Sequence, residues 1–371
     1  MLYRPRQAGH TAIFATFCGI PGRSPLGARS IQALGTAASL SVAFGMVRAI
    51  YKPEQIGRGM AINTLANASG IAMAPIVGGF IVSELGWNWV FSAAVPFAVF
   101  SLIFSRALPA PEPQRVPFDK LGAVLCALTF GLLIGGLEIV MHGSRYLGSA
   151  MLAGSAILAQ YFYRHEIRTP HPILPVDLLA KLQFAIALFC NFSQVVASMI
   201  LILFLPFKLQ INFGLTPTEI GGILTAYPIA SAMIAPLSGY LSDKIPVYIL
   251  SVLGLILSMS GLLLLSVITV ESSHFDMAWR LWLCGAGFGM FLTSNARLII
   301  CSAPVERAAS AGSMVSTTRI LSQALGATLF AGLLSMGISD NMVPIWVAVT
   351  LVGVTGAFYI FFMKSTLKEQ L

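Results

Sequence analysis

The sequence predicts an all-α, polytopic membrane protein, and three observations support that prediction. First, 57% of the 371 residues are hydrophobic and only 10% are charged, whereas a soluble globular domain has about 25% charged residues. Second, the apolar residues form runs of about 20 residues, the length that crosses a bilayer as a helix. Third, the basic residues fall in the short gaps between these runs, as membrane topology requires.

Composition also argues against several other classes of protein. The net charge of +8 at pH 7 does not indicate nucleic-acid binding, because the basic residues are dispersed along the chain. The five cysteines and five histidines have neither the spacing of a zinc site nor that of a disulfide framework. A phosphate-binding glycine loop is also missing from the sequence. We therefore expect no enzyme activity, no metal, no cofactor and no nucleic-acid partner.

The N-terminal 25 residues contain one apolar run, residues 10–20, which is too short to span a bilayer. This run also lacks the features of a secretory signal peptide. About eleven complete transmembrane helices are predicted to follow. They cover residues 28–49, 62–83, 88–108, 118–140, 146–163, 183–206, 217–240, 246–270, 279–302, 313–336 and 343–363.

The distribution of lysine and arginine predicts the orientation of these helices. When the loop at residues 48–58 is placed in the cytoplasm, only Arg23, Arg145, Lys208 and Arg280 lie in loops on the opposite side. The positive-inside rule favours this arrangement, because cytoplasmic loops carry the excess of basic residues. The C-terminus is therefore predicted to be cytoplasmic.

The span at 62–83 is rich in glycine and alanine. Gly70, Ala74 and Gly78 recur every four residues and form a ridge of small side chains on one face of the predicted helix. Membrane helices approach each other closely on such ridges. We therefore expect the ridge to pack against a neighbouring helix, and we expect a bend at Pro75.

These residues carry a resemblance to a known family. Gly70, Ala74, Pro75, Gly78 and Gly79 resemble the antiporter signature on the fifth helix of drug:proton antiporters of the major facilitator superfamily, with Ala74 at a position that is usually glycine. The run WNWVF at residues 87–91 is similar to the start of the sixth helix in the fourteen-helix branch. The glycines alone are equally compatible with an ordinary, tightly packed helix pair.

The resemblance implies a multi-pass antiporter of the bacterial plasma (inner) membrane. Its expected activity is proton-coupled efflux of amphipathic, cationic drugs or antiseptics by alternating access. The expected units are a partial N-terminal bundle at 1–112, two extra central helices with a cytoplasmic loop at 113–181, and a complete six-helix bundle at 182–371. On this alignment the chain is expected to be truncated at its front. Two alternatives remain, a non-transporting remnant of such an exporter and a metabolite carrier of the same fold.

Four residues are candidates for proton coupling or transport. Arg29 and Gln32 resemble the signature of the family's fourth helix, where the arginine is associated with proton coupling. Charged residues inside a membrane are expensive and therefore candidates for function. Glu138 is the acid placed deepest in a predicted span, and a proton carrier needs a group whose pKa can be shifted. Arg319 lies in a run that resembles the thirteenth helix, and we expect it to pair across the bundle.

Two further pairs complete the candidate residues. Asn295 and Arg297 lie in a run that resembles the twelfth helix of exporters of antiseptic cations, which implies a place in the substrate pathway. Snorkelling of Arg297 to the interface is an equally good explanation. Asp243 and Lys244 end a remnant of the superfamily's cytoplasmic loop signature, and we expect them to form a gating loop.

Overall fold

The computed structural model of the chain describes residues 55–84, 94–104, 119–169, 172–174, 176–269, 272–304, 307–335 and 342–368, together with residues 35, 46–47, 50–52 and 89. Within these ranges the regular elements are all helices, and no strand occurs among them. The all-α prediction is therefore confirmed.

Ten α-helices follow one another in the described ranges. They are α1 (Ile56–Glu84), α2 (Ala94–Phe104), α3 (Lys120–His142), α4 (Arg145–Arg168), α5 (Leu182–Phe213), α6 (Pro217–Ser242), α7 (Val247–Ser266), α8 (His274–Ser302), α9 (Ala308–Ser335) and α10 (Val343–Lys368). A short 3-10 helix, Val176–Ala180, precedes α5.

The predicted spans agree with these helices. Each span from 62–83 onward coincides with one helix, and the span at 28–49 lies outside the described residues. Six helices of the described part, α3, α5, α6, α7, α8 and α10, are long and apolar enough to cross a membrane. The chain is therefore a multi-pass membrane protein.

The turn between α5 and α6 is specified by local sequence. Gly214 ends α5 in the left-handed region at φ 64°, which suits glycine because it has no Cβ. Thr216 caps α6: its backbone N–H donates to the Glu219 carboxylate at 2.8 Å, and its side chain accepts from the backbone N–H of Glu219. This capping box fixes where α6 begins.

Helices α5 to α10 pack around one shared core. α5 contacts α8, α9 and α10, while α8 contacts α6 and α7 and α7 also contacts α10. Glycine allows the closest of these approaches: a Cβ added to Gly254 of α7 would lie 2.6 Å from the backbone nitrogen of Phe291 on α8. The boundaries predicted at 112 and 181 stay predictions.

Helices α3 and α4 form an antiparallel hairpin beside this core. They pack on each other, and α3 also contacts α9. The Ser155 hydroxyl of α4 donates to the Thr129 carbonyl of α3 at 2.9 Å, in a buried position. The hairpin therefore joins the rest of the described structure through α3 and through a contact between α4 and the 3-10 helix.

Helix α1 packs against α6 and α8 of the core. Its buried residues, Ile56, Met60, Ala61, Thr64 and Ala68, recur at intervals of one to four positions along one helix face. Most of them are small, which lets the backbones approach. This contact is the main link between α1 and the six-helix core.

The ridge predicted from the sequence is wrong at Gly70. Gly70 is exposed, and a Cβ added to it would meet no atom within 4 Å. The close approach lies further toward the start of α1, where a Cβ added to Gly239 of α6 would lie 2.6 Å from the Gly57 carbonyl oxygen. The physical reason is that Gly70 lies at the level of a cavity, where no described helix comes close to it.

Candidate functional site

A cavity of about 300 Å³ lies between α1 and the six-helix core. Its walls come from α1, α5, α6, α8 and α9. On α6 the lining runs from Gly221 to Ser231, which is the first half of that helix. The cavity therefore occupies the end of the helices that is remote from Asp243, the residue that follows α6.

The floor of the cavity is polar and buried. Thr64 of α1 lines the cavity, and the Thr293 hydroxyl of α8 donates to the Thr64 hydroxyl at 3.2 Å. Beyond this bond, the Gly57 and Gly239 backbones come into close contact. No space for a ligand remains between α1 and α6 at this level of the described structure.

Below the floor, Asp243 gathers partners from two other helices, and we call this group (Gly57, Arg58, Asp243 and Arg297) the Asp243 cluster. The backbone N–H of Gly57 donates to Asp243 Oδ1 at 3.1 Å. Arg297 Nη2 lies 3.3 Å from the same oxygen, and Arg58 Nε lies 3.9 Å from Oδ2. A carboxylate at the first turn of a helix is favoured by the unpaired N–H groups there.

Lys244 does not belong to the Asp243 cluster. It is exposed, its ammonium group donates to the Tyr240 hydroxyl, and it lies 4.3 Å from the centre of the Tyr240 ring. Asp243 therefore has contacts suited to a gate, whereas the contacts of Lys244 stay on its own turn.

The cavity is mostly apolar, with a small number of polar side chains. Arg319 and Gln323 project into it from α9, one turn apart. The hydroxyls of two other lining residues, Tyr227 and Ser198, are hydrogen-bonded to each other at 2.5 Å. The rings of Tyr227 and Phe288 are 5.7 Å apart and form an aromatic wall. A mostly apolar pocket with a few convergent polar groups is typical of a small-molecule site.

Of the four residues predicted for proton coupling, one lies in the cavity. Arg319 lines it. Glu138 is exposed on α3 and is not part of the lining. Arg29 and Gln32 lie outside the described residues. The structure therefore does not bring this predicted set together within its described part.

The signature residues of the predicted antiporter motif lie on α1, beyond its contact with the cavity. Gly70 is exposed, one position before the lining residue Ile71. The helix continues through Ala74, Pro75, Gly78 and Gly79. The side chains of these four residues are outside the described ones, so their role stays a prediction.

The two residues predicted for the substrate pathway have other contacts. Asn295 is fully buried, and its amide donates to the Ala187 carbonyl of α5 at 2.8 Å. Arg297 pairs with Asp243 in the Asp243 cluster and does not snorkel to solvent, since 14% of its side chain is exposed. Neither residue lines the cavity. The described contacts place Asn295 in helix packing and Arg297 in the Asp243 cluster.

Sequence reasoning missed several lining residues. Thr64, Asn67 and Ile71 face the cavity from α1, and Ser198 and Tyr227 face it from α5 and α6. The spacing of the three α1 residues by three and four positions is the signal of one helix face. This spacing is visible in the sequence, but the prediction was based on the small residues Gly70, Ala74 and Gly78 instead.

The family follows from comparison with known proteins. The family model described as Major Facilitator Superfamily matches residues 9–184 and 187–370. The chain belongs to the Major Facilitator Superfamily. Members of this superfamily are transporters that carry small molecules across membranes, and they are not enzymes.

Proteins that are similar to this chain have names that describe different functions. The chain is 37% identical to the uncharacterized transporter YebQ of Escherichia coli K12, covering 85% of this chain and 69% of YebQ. It is 24% identical to the riboflavin transporter RibZ of Clostridioides difficile, covering 93% and 78%. It is 25% identical to the methyl viologen resistance protein SmvA of Salmonella typhimurium, covering 85% and 64%.

A solved superfamily structure has the same fold. The human organic anion transporter MFSD10 (TETRAN) superposes with a TM-score of 0.69 over 96% of this chain and 76% of that chain. The two sequences are 14% identical, so this likeness shows the fold alone. The predicted major facilitator fold is therefore confirmed.

Proposed function

We propose that this transporter exports amphipathic organic compounds across the bacterial inner membrane in exchange for protons. The observation that carries the proposal is the one-ended cavity. α1 and the six-helix core enclose an apolar cavity, and the Thr64–Thr293 bond and the Asp243 cluster close it at one end. Alternating access requires a midplane site whose two ends close in turn.

The predicted topology assigns a direction to this arrangement. If the C-terminus is cytoplasmic, the Asp243 cluster is at the cytoplasmic end and the cavity is in the outer half of the bilayer. The described conformation is then one in which the cytoplasmic gate is closed. Release of a compound to the outside takes place from such a state in an exporter.

The branch assignment rests on two features. The α3–α4 hairpin lies between α2 and α5 along the chain, where the fourteen-helix branch has its two extra central helices. The signature-like run at residues 70–79 supports an antiporter within this branch. Arg29, Gln32, Glu138 and Arg319 are the residues that we propose for coupling to protons.

The substrate class has two candidate forms. The predicted cationic compounds, including drugs and antiseptics, are supported by similarity to a methyl viologen resistance protein, because that name denotes a flat dication. A metabolite carrier is supported by similarity to a riboflavin transporter. The mostly apolar lining with aromatic residues suits a flat amphipathic body in either case.

Everted inner-membrane vesicles provide the test. Vesicles from cells that express the chain are energised so that their interior becomes acidic, and uptake of labelled methyl viologen and riboflavin is measured. We expect uptake of at least one compound, and we expect nigericin to abolish it by removing the pH gradient. Uptake that persists without a pH gradient would contradict proton exchange, and no uptake above empty-vector vesicles would contradict export of either class.

A further inference from the structure

We propose that Arg319 binds an acidic group of the transported compound, so that the substrates are amphipathic organic acids or zwitterions. The proposal rests on the proposed export function and names the substrate class of the same cavity. It differs from the cationic class expected from the sequence. Three arguments support the proposal: the charge of the described lining, the geometry of its polar groups, and the energetic cost of a cation in the membrane that has no acidic partner among the described residues.

The charge of the cavity is positive in its described part. Arg319 lines it, and no carboxylate appears among the described residues that line it. No described Asp or Glu forms an ion pair with Arg319 either. Asp243 is below the Thr64–Thr293 floor and is already paired with Arg297.

A guanidinium that has no acidic partner among the described residues raises the free energy of the empty transporter when it lies inside the membrane. Charged side chains at this depth are costly unless they face water or a counter-ion. A bound carboxylate, sulfonate or phosphate would supply that counter-ion, and a guanidinium can meet it with two parallel N–H donors. A cationic compound would instead place a like charge next to Arg319 and raise the energy of both groups.

Neutral polar groups around Arg319 suit the same ligand. Gln323 lies one turn from Arg319 on α9 and offers amide donors. The Tyr227 and Ser198 hydroxyls also line the cavity and are 2.5 Å from each other. Phe288 stacks beside Tyr227 at 5.7 Å and can contact an aromatic body. The cavity thus combines a cationic group with an aromatic surface.

A matched series of naphthalene compounds tests the proposal. The probes are 1-naphthalenesulfonate, the neutral 1-naphthalenesulfonamide and the cation 1-naphthyltrimethylammonium, whose charges do not change near neutral pH. Binding to the purified full chain in detergent is measured by equilibrium dialysis. We expect the sulfonate to bind about 10- to 100-fold more tightly than the cation, the ratio for a hydrogen bond to a charged group.

Variants locate the preference on one side chain. Arg319→Gln is expected to remove the preference for the sulfonate over the cation, and an unchanged elution profile in size-exclusion chromatography shows that the variant is folded. Arg319→Lys should retain the preference. Arg145→Gln, which removes an exposed charge at the start of α4, is the control and should change nothing.

Two results would overturn the proposal. Equal affinity of the unmodified chain for the cation and the sulfonate would overturn the proposal, and this result needs no variant. A preference for the sulfonate that remains in Arg319→Gln would also overturn the proposal. These outcomes differ from failure of the proposed export function, because binding is measured without a proton gradient and does not depend on proton-driven uptake.

Discussion

Asp243 Oδ1 accepts a hydrogen bond from the backbone N–H of Gly57 at 3.1 Å, although the two residues are 186 positions apart in the sequence. The same oxygen lies 3.3 Å from Arg297 Nη2, and 8% of the Asp243 side chain is exposed. One carboxylate therefore joins the end of α6 to the start of α1 and to α8. Charge-assisted hydrogen bonds of this kind are stronger than neutral ones, so Asp243 stabilises the closed end of the cavity.

Asp243→Asn should open this end. Asparagine keeps the shape and one acceptor but removes the charge, so the contacts with Gly57 and Arg297 weaken. With spin labels at the exposed positions 52 and 245, we expect a population at longer distance in the variant. Asp177→Asn breaks an exposed ion pair with Arg307 that does not involve α1, and it is the matched control. Identical distance distributions in Asp243→Asn and the unmodified chain would contradict a gating role.

Gly239→Ala should weaken the contact between α1 and α6. The added Cβ would lie 2.6 Å from the Gly57 carbonyl oxygen, a distance that requires one helix to shift. Gly70→Ala is the matched control on the same pair of elements, because its Cβ would meet no atom. We expect a lower Tm in detergent for Gly239→Ala, and for Gly70→Ala an unchanged or slightly higher Tm from a helix-propensity gain of about 0.5–1 kcal/mol. Equal Tm values for both variants would rule out the close packing.

Glu166, at the end of α4 and beyond its predicted span, gives the protein a pH-dependent stability. Only 2% of it is exposed, and neither carboxylate oxygen has a hydrogen bond of good geometry. Burial raises the pKa of this carboxyl to about 6, and the charge of Asp119 adds to the effect. Folding therefore favours the protonated form, and stability is highest below the ordinary pKa of 4.5 and falls as the pH rises from 4.5 to about 6.

Glu166→Gln should remove this pH dependence. A shift of this size corresponds to about 2 kcal/mol of lost stability at neutral pH, so the variant should have the higher Tm at pH 7.5 and an equal Tm at pH 4. Asp119 shows the opposite behaviour: hydrogen bonds from Gly122 and His165 outweigh its desolvation and lower the pKa of its carboxyl. Asp119→Asn should therefore destabilise the protein at neutral pH. Parallel Tm profiles for Glu166→Gln and the unmodified chain would contradict the assignment.

Asn295→Ala should reduce stability without changing substrate affinity. The variant loses a buried hydrogen bond to the Ala187 carbonyl, which is worth about 1–3 kcal/mol when its partner is left unsatisfied. Gln323→Ala provides the converse, since Gln323 lines the cavity and its loss should weaken probe binding with little effect on Tm. Weaker binding in Asn295→Ala at unchanged Tm would restore Asn295 to the substrate pathway.

The helices could be predicted from the sequence because apolarity and length suffice for membrane spans. The span predicted at 217–240 lies within α6 (Pro217–Ser242), and its start is specified by the Thr216 capping box. The same apolarity does not say which face of a helix packs. Lipid is as apolar as a partner helix, so the small ridge at Gly70 and the contact face at Gly57 look alike in sequence.

The position of a charged residue along its helix was easier to predict from the sequence than the residue with which it pairs. Arg297 was correctly placed near one end of its helix, but its pairing with Asp243 joins residues that are remote in the chain. Arg319 was singled out as a charge within a span, and it lines the cavity. Its neighbours Tyr227 and Ser198 come from two other helices, and no local pattern specifies that proximity.

Substrate-driven proton movement through the purified transporter tests the central claim most directly. The full chain is reconstituted in liposomes that contain a pH-sensitive dye, and a gradient of a compound shown to bind is imposed across the membrane without any pH gradient. Proton exchange predicts a change of internal pH that is seen only when both protein and compound are present. The sign of this change should correspond to protons moving in the direction opposite to the compound. Movement of labelled compound with no accompanying pH change would contradict the proposed exchange.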